Sequence, residues 1–128
     1  MIVGIGVDLC DVARLETTLA QPSGPRFLER VFTDGERAYC EARKRGRVQS
    51  YAARFAAKEA AMKALGTGWG QGVGWRDVEV VRVGDEAPTL HLHGEAARLS
   101  AARGVVRWLV TLSHTDTMAI AWVIAESD

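Results

Sequence analysis

The chain of 128 residues has the length of one domain, and 48% hydrophobic with 25% charged residues is typical of a globular protein and not of a disordered one. Its sixteen basic and sixteen acidic residues cancel, which argues against general nucleic-acid binding. The apolar N-terminus lacks a basic segment and meets Asp8 early, so we expect no signal peptide, no membrane span and a cytoplasmic protein.

The first element predicted along the chain is a buried β-strand over residues 2–7. Gly4 and Gly6 interrupt it and indicate close approach by another backbone or by a ligand. Asp8 is expected to end the strand, either as a turn former or as a ligand. Asp11 is a suitable N-cap for a helix over roughly residues 12–20.

Two further helices are predicted before residue 44. Apolar residues at helical spacing indicate one over residues 26–32, and Thr33 with Glu36 forms the pattern of a capping box before another over about 34–43. This helix runs into the dense basic run of the chain, which is either a solvated face or an anion contact. The cations of the run are Arg43, Lys44, Arg45 and Arg47.

An alanine-rich stretch predicts the central helix, with Ser50 as its N-cap and Gly66 as its end. Glu59 and Lys63 are at the favourable i,i+4 spacing, and one carboxylate is expected among three cations. Small side chains three or four residues apart predict a buried face. These alanines are Ala53, Ala56, Ala60 and Ala64, and the three cations are Arg54, Lys58 and Lys63.

Glycine occupies every second position from Gly66 to Gly74. Such a backbone can adopt positive φ and approach a ligand closely, although the same pattern fits a flexible surface hairpin. It is not a P-loop, because it follows a helix and lacks the GxxxxGK[ST] pattern. Since the helix dipole at this end opposes a phosphate, an anion must be held by cationic side chains and by loop N–H groups.

The second half of the chain predicts mainly strands. Residues 77–83 and 89–93 indicate a hairpin, in which His91 and His93 share a face that favours solvent exposure over a metal site. A short helix is expected near residues 94–102, and residues 105–113 and 118–125 indicate two central strands. The elements together predict a single α+β domain over residues 1–128, with a mostly antiparallel sheet packed with helices.

Asp8 and Glu59 come from different elements, and nothing in their spacing proves that they meet. If they do, two carboxylates with water and a diphosphate are the hard oxygen ligands that Mg²⁺ accepts. Cations beside the metal would neutralise the charge that develops in phosphoryl transfer. The residues alone therefore indicate a metal-assisted reaction on a phosphorylated ligand. The alternatives are a metal-dependent nucleotide hydrolase that uses the same carboxylates and a binding module that carries out no chemistry.

Four motifs occur in order along nearly the whole chain. They are Gly4-Ile5-Gly6-Val7-Asp8 running into Arg14-Leu15-Glu16; Arg30-Val31-Phe32-Thr33 with Glu36 and Tyr39-Cys40; Arg54-Phe55-Ala56-Ala57-Lys58-Glu59-Ala60 with Lys63-Ala64-Leu65-Gly66-Thr67-Gly68; and Leu92-His93-Gly94 with Leu112-Ser113-His114-Thr115. In this order and spacing they resemble the holo-[acyl-carrier-protein] synthase family.

The resemblance implies the 4′-phosphopantetheinyl transferase fold and a homotrimer with sites between subunits. It implies transfer of the 4′-phosphopantetheine arm from coenzyme A to a serine of apo acyl carrier protein, in fatty-acid or polyketide biosynthesis, with no nucleic-acid or membrane partner. By position, Asp8 and Glu59 would bind Mg²⁺, Lys63 would contact the coenzyme A diphosphate, and Arg14 would meet the carrier protein. The implied nucleotide site comprises Arg54, Gly66, Thr67, Gly68, Ser113, His114 and Thr115, with Arg43, Lys44, Arg45 or Arg47 as candidates for the 3′-phosphate.

Overall fold

A long helix packed across a three-stranded sheet forms the centre of the fold. The computed structural model describes residues 1–67 and 71–128, and none of the helices in these ranges has the length and hydropathy needed to cross a bilayer. The elements in chain order are β1 (Ile2–Asp11), α1 (Val12–Ala20), α2 (Gly24–Val31), α3 (Asp34–Ala42), α4 (Arg47–Leu65), β2 (Val78–Val81), β3 (Thr89–Leu92), α5 (Gly94–Ala102), β4 (Val105–His114) and β5 (Met118–Ser127). Short 3₁₀ helices at Lys44–Gly46 and Trp75–Asp77 precede α4 and β2.

The larger sheet has the strand order β1–β5–β4, and β2 and β3 form a separate hairpin. Each strand pair in the described ranges is antiparallel, so the predicted α+β class is confirmed. Side chains of the central strand β5 alternate between the two faces of the sheet. The face that meets α4 carries small or medium side chains, all of them buried: Ala119, Ala121, Val123 and Ala125.

Strand β1 meets α4 backbone against backbone. A Cβ atom at Gly4 would lie 2.1 Å from the carbonyl oxygen of Ala64, and one at Gly6 would lie 1.9 Å from that of Ala60. Because these distances are far below van der Waals contact, a side chain at either position would push the helix away from the strand. Of the two interpretations left open for these glycines, close approach by another backbone is therefore the correct one.

A buried ion pair joins α3, α4 and the small hairpin. Lys58 Nζ lies 2.7 Å from Glu36 Oε1, and both side chains are fully buried. Glu36 also accepts hydrogen bonds from the backbone N–H groups of Thr33 (2.9 Å) and Val80 (2.8 Å), while Lys58 donates to the carbonyl oxygens of Trp75 (3.1 Å) and Val78. Burial lowers the pKa of Lys58 and the adjacent Glu36 carboxylate opposes that shift. The pair thus fixes α4 against β2, because each partner is also hydrogen-bonded to backbone.

Three helix-end signals read from the sequence are confirmed. Asp11 caps α1 by accepting from the Arg14 N–H at 3.2 Å. Thr33 and Glu36 form the complete capping box of α3. Gly66 ends α4 with φ +80°, a conformation that glycine adopts without steric cost.

Three other expectations are wrong. Asp8 does not end the first strand, because pairing with β5 continues to Asp11 and places Asp8 opposite Ala121. Ser50 is not the N-cap of the central helix, since the preceding 3₁₀ helix leads directly into α4 at Arg47. The strand β4 lies at an edge of the larger sheet, so only β5 is central.

The substitution Gly6→Ala tests the backbone contact between β1 and α4. We expect it to lower the free energy of unfolding by more than about 2 kcal/mol, because the added methyl group overlaps the Ala60 carbonyl. Urea unfolding followed by circular dichroism measures the change. Gly46→Ala is the matched control, with no heavy atom within 4 Å of the added Cβ, and we expect it to cost less than about 1 kcal/mol. Equal effects of the two substitutions would contradict the structure.

Candidate active site

The carboxyl groups of Asp8 and Glu59 meet where β1 faces α4. Burial raises the pKa of Glu59, and the charge of Asp8 and a hydrogen bond with Asp8 raise it further. Lys63, one turn further along the helix, donates to Asp8 Oδ1 at 2.9 Å and to the carbonyl oxygen of Val7 at 3.1 Å. The close packing of β1 on α4 therefore brings Asp8 to Glu59 and Lys63, which the sequence placed on a different element.

Lys58 and Glu59 point in different directions although they are neighbours in sequence. Successive helical residues are about 100° apart around the axis, so Lys58 enters the core while Glu59 faces β1. Lys63 forms an ion pair with Asp8, whose side chain is only 16% exposed. The expectation of one carboxylate among three cations is thus wrong: among the described residues, two carboxylates share one nearby lysine, and Lys58 is occupied by Glu36.

A cavity of about 400 Å³ lies directly beside the carboxylate pair. Asp8 and Glu59 line one side of it, and Arg14 lines another from the exposed face of α1. The rest of the lining contains Cys10, Asp11 and Thr18 together with four apolar side chains: Leu9, Leu15, Phe27 and Phe55. This apolar part was not identified from the sequence, because it assembles from four different elements, β1, α1, α2 and α4. The site thus combines a charged floor with an apolar wall and an exposed arginine.

A second cavity, of about 300 Å³, is strongly basic. Arg54 is only 3% exposed, and its guanidinium lies 4.1 Å from the centre of the Tyr39 ring. Its Nη1 donates to the Ser50 carbonyl oxygen at 3.3 Å, and its buried Nε makes no hydrogen bond in the part of the chain that the structure describes. The cavity suits an anionic ligand, and its polar lining consists of Tyr39, Arg43, Ser50, Arg54, Arg82, Ser113 and His114.

The other residues expected at the nucleotide site are placed differently. Thr115 stabilises the β4–β5 turn, where its hydroxyl accepts from the N–H groups of Thr117 (3.2 Å) and Met118 (3.1 Å). Arg47 forms an ion pair with Glu41, whereas Lys44 and Arg45 are exposed. Among the four candidates for the 3′-phosphate, only Arg43 lines the basic cavity. Arg82 also lines the basic cavity. It was not predicted from the sequence, because a basic residue at the end of a half-exposed strand is common.

The two cavities lie on opposite flanks of α4. Arg54 and Glu59 are five residues apart, which separates their side chains by about 140° around the helix axis. Residues that line the two cavities are also separated across the sheet. Asp8 is opposite Ala121, which is opposite Leu112, so the strand of Asp8 and the strand of Ser113 are about 10 Å apart.

The turn after α4 begins at Gly66 and Thr67. The Gly66 N–H donates to the carbonyl oxygens of Met62 (2.9 Å) and Lys63 (3.1 Å), and the Thr67 N–H donates to that of Met62 (3.3 Å). These bonds close the end of the helix about one turn beyond Lys63 and about two turns beyond Glu59. Gly68, also expected at the nucleotide site, lies outside the described residues.

The remaining histidines and cysteines form no further site in the described ranges. His93 contacts Glu79 through Nε2 at 2.8 Å, and His91 is exposed on β3. Residues 1–67 and 71–128 contain no cluster of three or more His, Cys, Asp or Glu side chains suited to a metal ion. Cys10 and Cys40 are free and buried, and burial raises the pKa of their thiols to about 11 and about 12.

Comparison with known proteins decides the family. The model of the 4′-phosphopantetheinyl transferase superfamily matches residues 4–123. The chain belongs to this superfamily. It is 48% identical over 127 residues to the holo-[acyl-carrier-protein] synthase of Solibacter usitatus, covering 99% of this chain and 100% of that protein.

Solved structures agree with this assignment. The holo-[acyl-carrier-protein] synthase of Neisseria meningitidis superposes with a TM-score of 0.86 at 30% identity, over 99% of this chain and all of that one. The holo-(acyl-carrier-protein) synthase of Bacillus anthracis, in complex with CoA (3′,5′-ADP), superposes with a TM-score of 0.80 at 35% identity. The match covers 100% of this chain and 99% of that one. The expected activity, transfer of 4′-phosphopantetheine from coenzyme A to apo acyl carrier protein, is confirmed at the level of the family.

Proposed function

We propose that Asp8 and Glu59 hold the Mg²⁺ ion with which this chain transfers 4′-phosphopantetheine to a serine of apo acyl carrier protein. The observation that carries the proposal is the direct approach of the two carboxyl groups beside a cavity, with one exposed lysine next to them. Burial first, and then the negative charge of Asp8, raise the pKa of Glu59, and a cation held between the two carboxylates would oppose that shift.

The donor set fits magnesium better than a softer metal. Mg²⁺ takes oxygen ligands, is commonly bound through one or two carboxylates, and completes its octahedron with water and substrate phosphates. Asp8 and Glu59 supply two such carboxylates and leave the cavity side open. When bound, the ion would polarise the phosphorus of coenzyme A that the serine attacks.

The cationic side chains are proposed to hold and orient coenzyme A. Lys63 is 54% exposed and adjacent to Asp8, so its ammonium group can contact the diphosphate and balance charge that develops during the transfer. Arg54, with Ser113 and His114 in the basic cavity, is proposed to hold the nucleotide end. The proposed nucleotide site also includes Thr115 and the turn Gly66, Thr67 and Gly68.

The carrier protein is proposed to dock at α1. Arg14 is exposed and lines the cavity that contains both carboxylates, so a partner held there can direct a serine towards them. Charge complementarity with an acidic carrier would mainly raise the rate of association. Fatty-acid biosynthesis in the cytoplasm is the setting that the family resemblance implies for this reaction.

The intact mass of an apo acyl carrier protein, after incubation with coenzyme A, Mg²⁺ and this protein, tests the proposed site. We expect a gain of one phosphopantetheine arm, and a fall of at least about a hundredfold in its rate for both Asp8→Asn and Glu59→Gln. Asp85→Asn, in the exposed β2–β3 loop, is the matched control and should react like the wild type. Cleavage of coenzyme A without any carrier protein would instead favour a nucleotide hydrolase, and binding without a mass change would favour a docking module.

Self-association as a homotrimer is the second part of the proposal. The outer face of the larger sheet exposes apolar side chains in cross-strand register: Ile5 lies opposite Ile124, which lies opposite Leu109. Trp122, in the next row, is 47% exposed. A contiguous apolar surface of this kind marks a protein interface. Association through it could place the basic cavity of one chain next to the carboxylates of its neighbour, since one chain holds them on opposite flanks of α4.

Mixed oligomers test whether sites form between chains. Asp8→Asn and His114→Ala are each expected to lose most of the activity. If each site takes Asp8 from one chain and His114 from another, refolding the two variants together at equal amounts should restore about a quarter of the wild-type rate, because a quarter of the interfaces combine two intact halves. Sedimentation velocity reports the mass of the assembly. No recovery in a sample that sediments as a trimer would contradict shared sites.

A further inference from the structure

The C-terminal end of α4 presents an electrostatic problem for the proposed site. The last four carbonyl groups of a helix lack partners within the helix, and its C-terminus carries about half a negative charge. The Gly66–Thr67 turn, which the proposed function assigns to coenzyme A, begins at this end. A diphosphate brought to the turn would therefore meet unfavourable charge unless another group compensates for it.

Arg103 supplies a compensating group from a distant part of the chain. Its Nη1 donates to the carbonyl oxygens of Ala64 (3.1 Å) and Leu65, and its Nη2 donates to that of Val3 (3.0 Å). Met62 and Lys63 already accept from the turn, so each of the last four carbonyl groups of α4 is satisfied. One guanidinium thus links the end of α4 to β1.

The charge of Arg103 is not consumed by an acidic partner. Among the described residues, no salt bridge joins it to an Asp or Glu side chain, whereas its neighbour on α5, Arg98, pairs with Glu95. Its guanidinium also lies against the turn, because a Cβ atom at Gly66 would be 3.6 Å from Nη1. The positive charge therefore remains beside the first residue of the turn.

We propose that Arg103 is a positioning residue for coenzyme A. It holds the Gly66–Thr67 turn in place and converts the negative end of α4 into a surface that tolerates a diphosphate. The inference rests on the proposed assignment of this turn to coenzyme A, and it assigns Arg103 no direct contact with the reacting atoms. No local sequence pattern marks Arg103, because the residues to which it donates lie far from it in the chain.

Calorimetric titration of coenzyme A into the wild type, Arg103→Gln, Arg103→Lys and Arg98→Gln tests the inference. We expect the Kd to rise about fivefold in Arg103→Gln, with a smaller rise in Arg103→Lys, which keeps the charge but loses the planar fork. Arg98→Gln removes the same charge from α5 without touching α4, and should bind like the wild type. The Kd for dephospho-coenzyme A should rise in Arg103→Gln by the same factor as the Kd for coenzyme A, because the effect acts on the diphosphate.

Two further readouts separate positioning from simple loss of structure. Under saturating coenzyme A, kcat of Arg103→Gln should stay within twofold of the wild type while KM for coenzyme A rises. A loss of kcat and melting temperature with unchanged Kd would overturn the inference, and so would wild-type binding by Arg103→Gln. If that variant does not fold, Arg103→Lys decides alone: a Kd equal to that of the wild type would overturn the inference.

Amide resonances of Gly66 and Thr67 in the wild type distinguish the two levels of the proposal. If coenzyme A does not shift them, the turn is not at the nucleotide site, and the proposed function fails in this part. If they shift while Arg103→Gln binds normally, only the role of Arg103 fails. Shifted resonances together with weakened binding in Arg103→Gln support both.

Discussion

The absence of side chains at Gly4 and Gly6 is the constraint on which the site depends. With these glycines the backbone of β1 lies against the carbonyl oxygens of Ala60 and Ala64 on α4. Only at this separation does Asp8 on the strand come within hydrogen-bonding distance of Glu59 and Lys63 on the helix. Glycine and alanine are therefore as necessary here as the charged residues, because they determine the distance between the two elements.

The orientation of α4 depends on a second, opposite set of contacts. Lys58 points into the core, where Glu36 and two backbone carbonyl oxygens hold its ammonium group. Breaking such a buried pair typically costs about 3–5 kcal/mol, because the remaining charge is left without a partner. Since Glu59 follows Lys58 directly, the buried lysine also sets the direction in which the carboxylate faces. Structural and functional charges thus alternate along one helix.

Local chemistry in the sequence was enough to predict much of the fold, and the family resemblance predicted the site residues. Thr33, Glu36 and Gly66 act through neighbours three or four residues away, so their roles are visible in a short window. Asp8 was misjudged as a strand end because its pairing with β5 is a long-range interaction. The same reason explains why the roles of Lys58 and Arg103 were missed: Lys58 pairs with Glu36, 22 residues away, and the partners of Arg103 lie 38 to 100 residues away in the chain.

The most direct test of the central claim is a count of bound divalent ions. Mn²⁺, which also prefers oxygen ligands, can replace Mg²⁺ in the presence of coenzyme A and be followed by electron paramagnetic resonance. The geometry predicts one bound ion per chain in the wild type, and affinity reduced by at least about tenfold in both Asp8→Asn and Glu59→Gln. Wild-type affinity in either variant, with the fold intact, would show that the two carboxylates do not form one metal site.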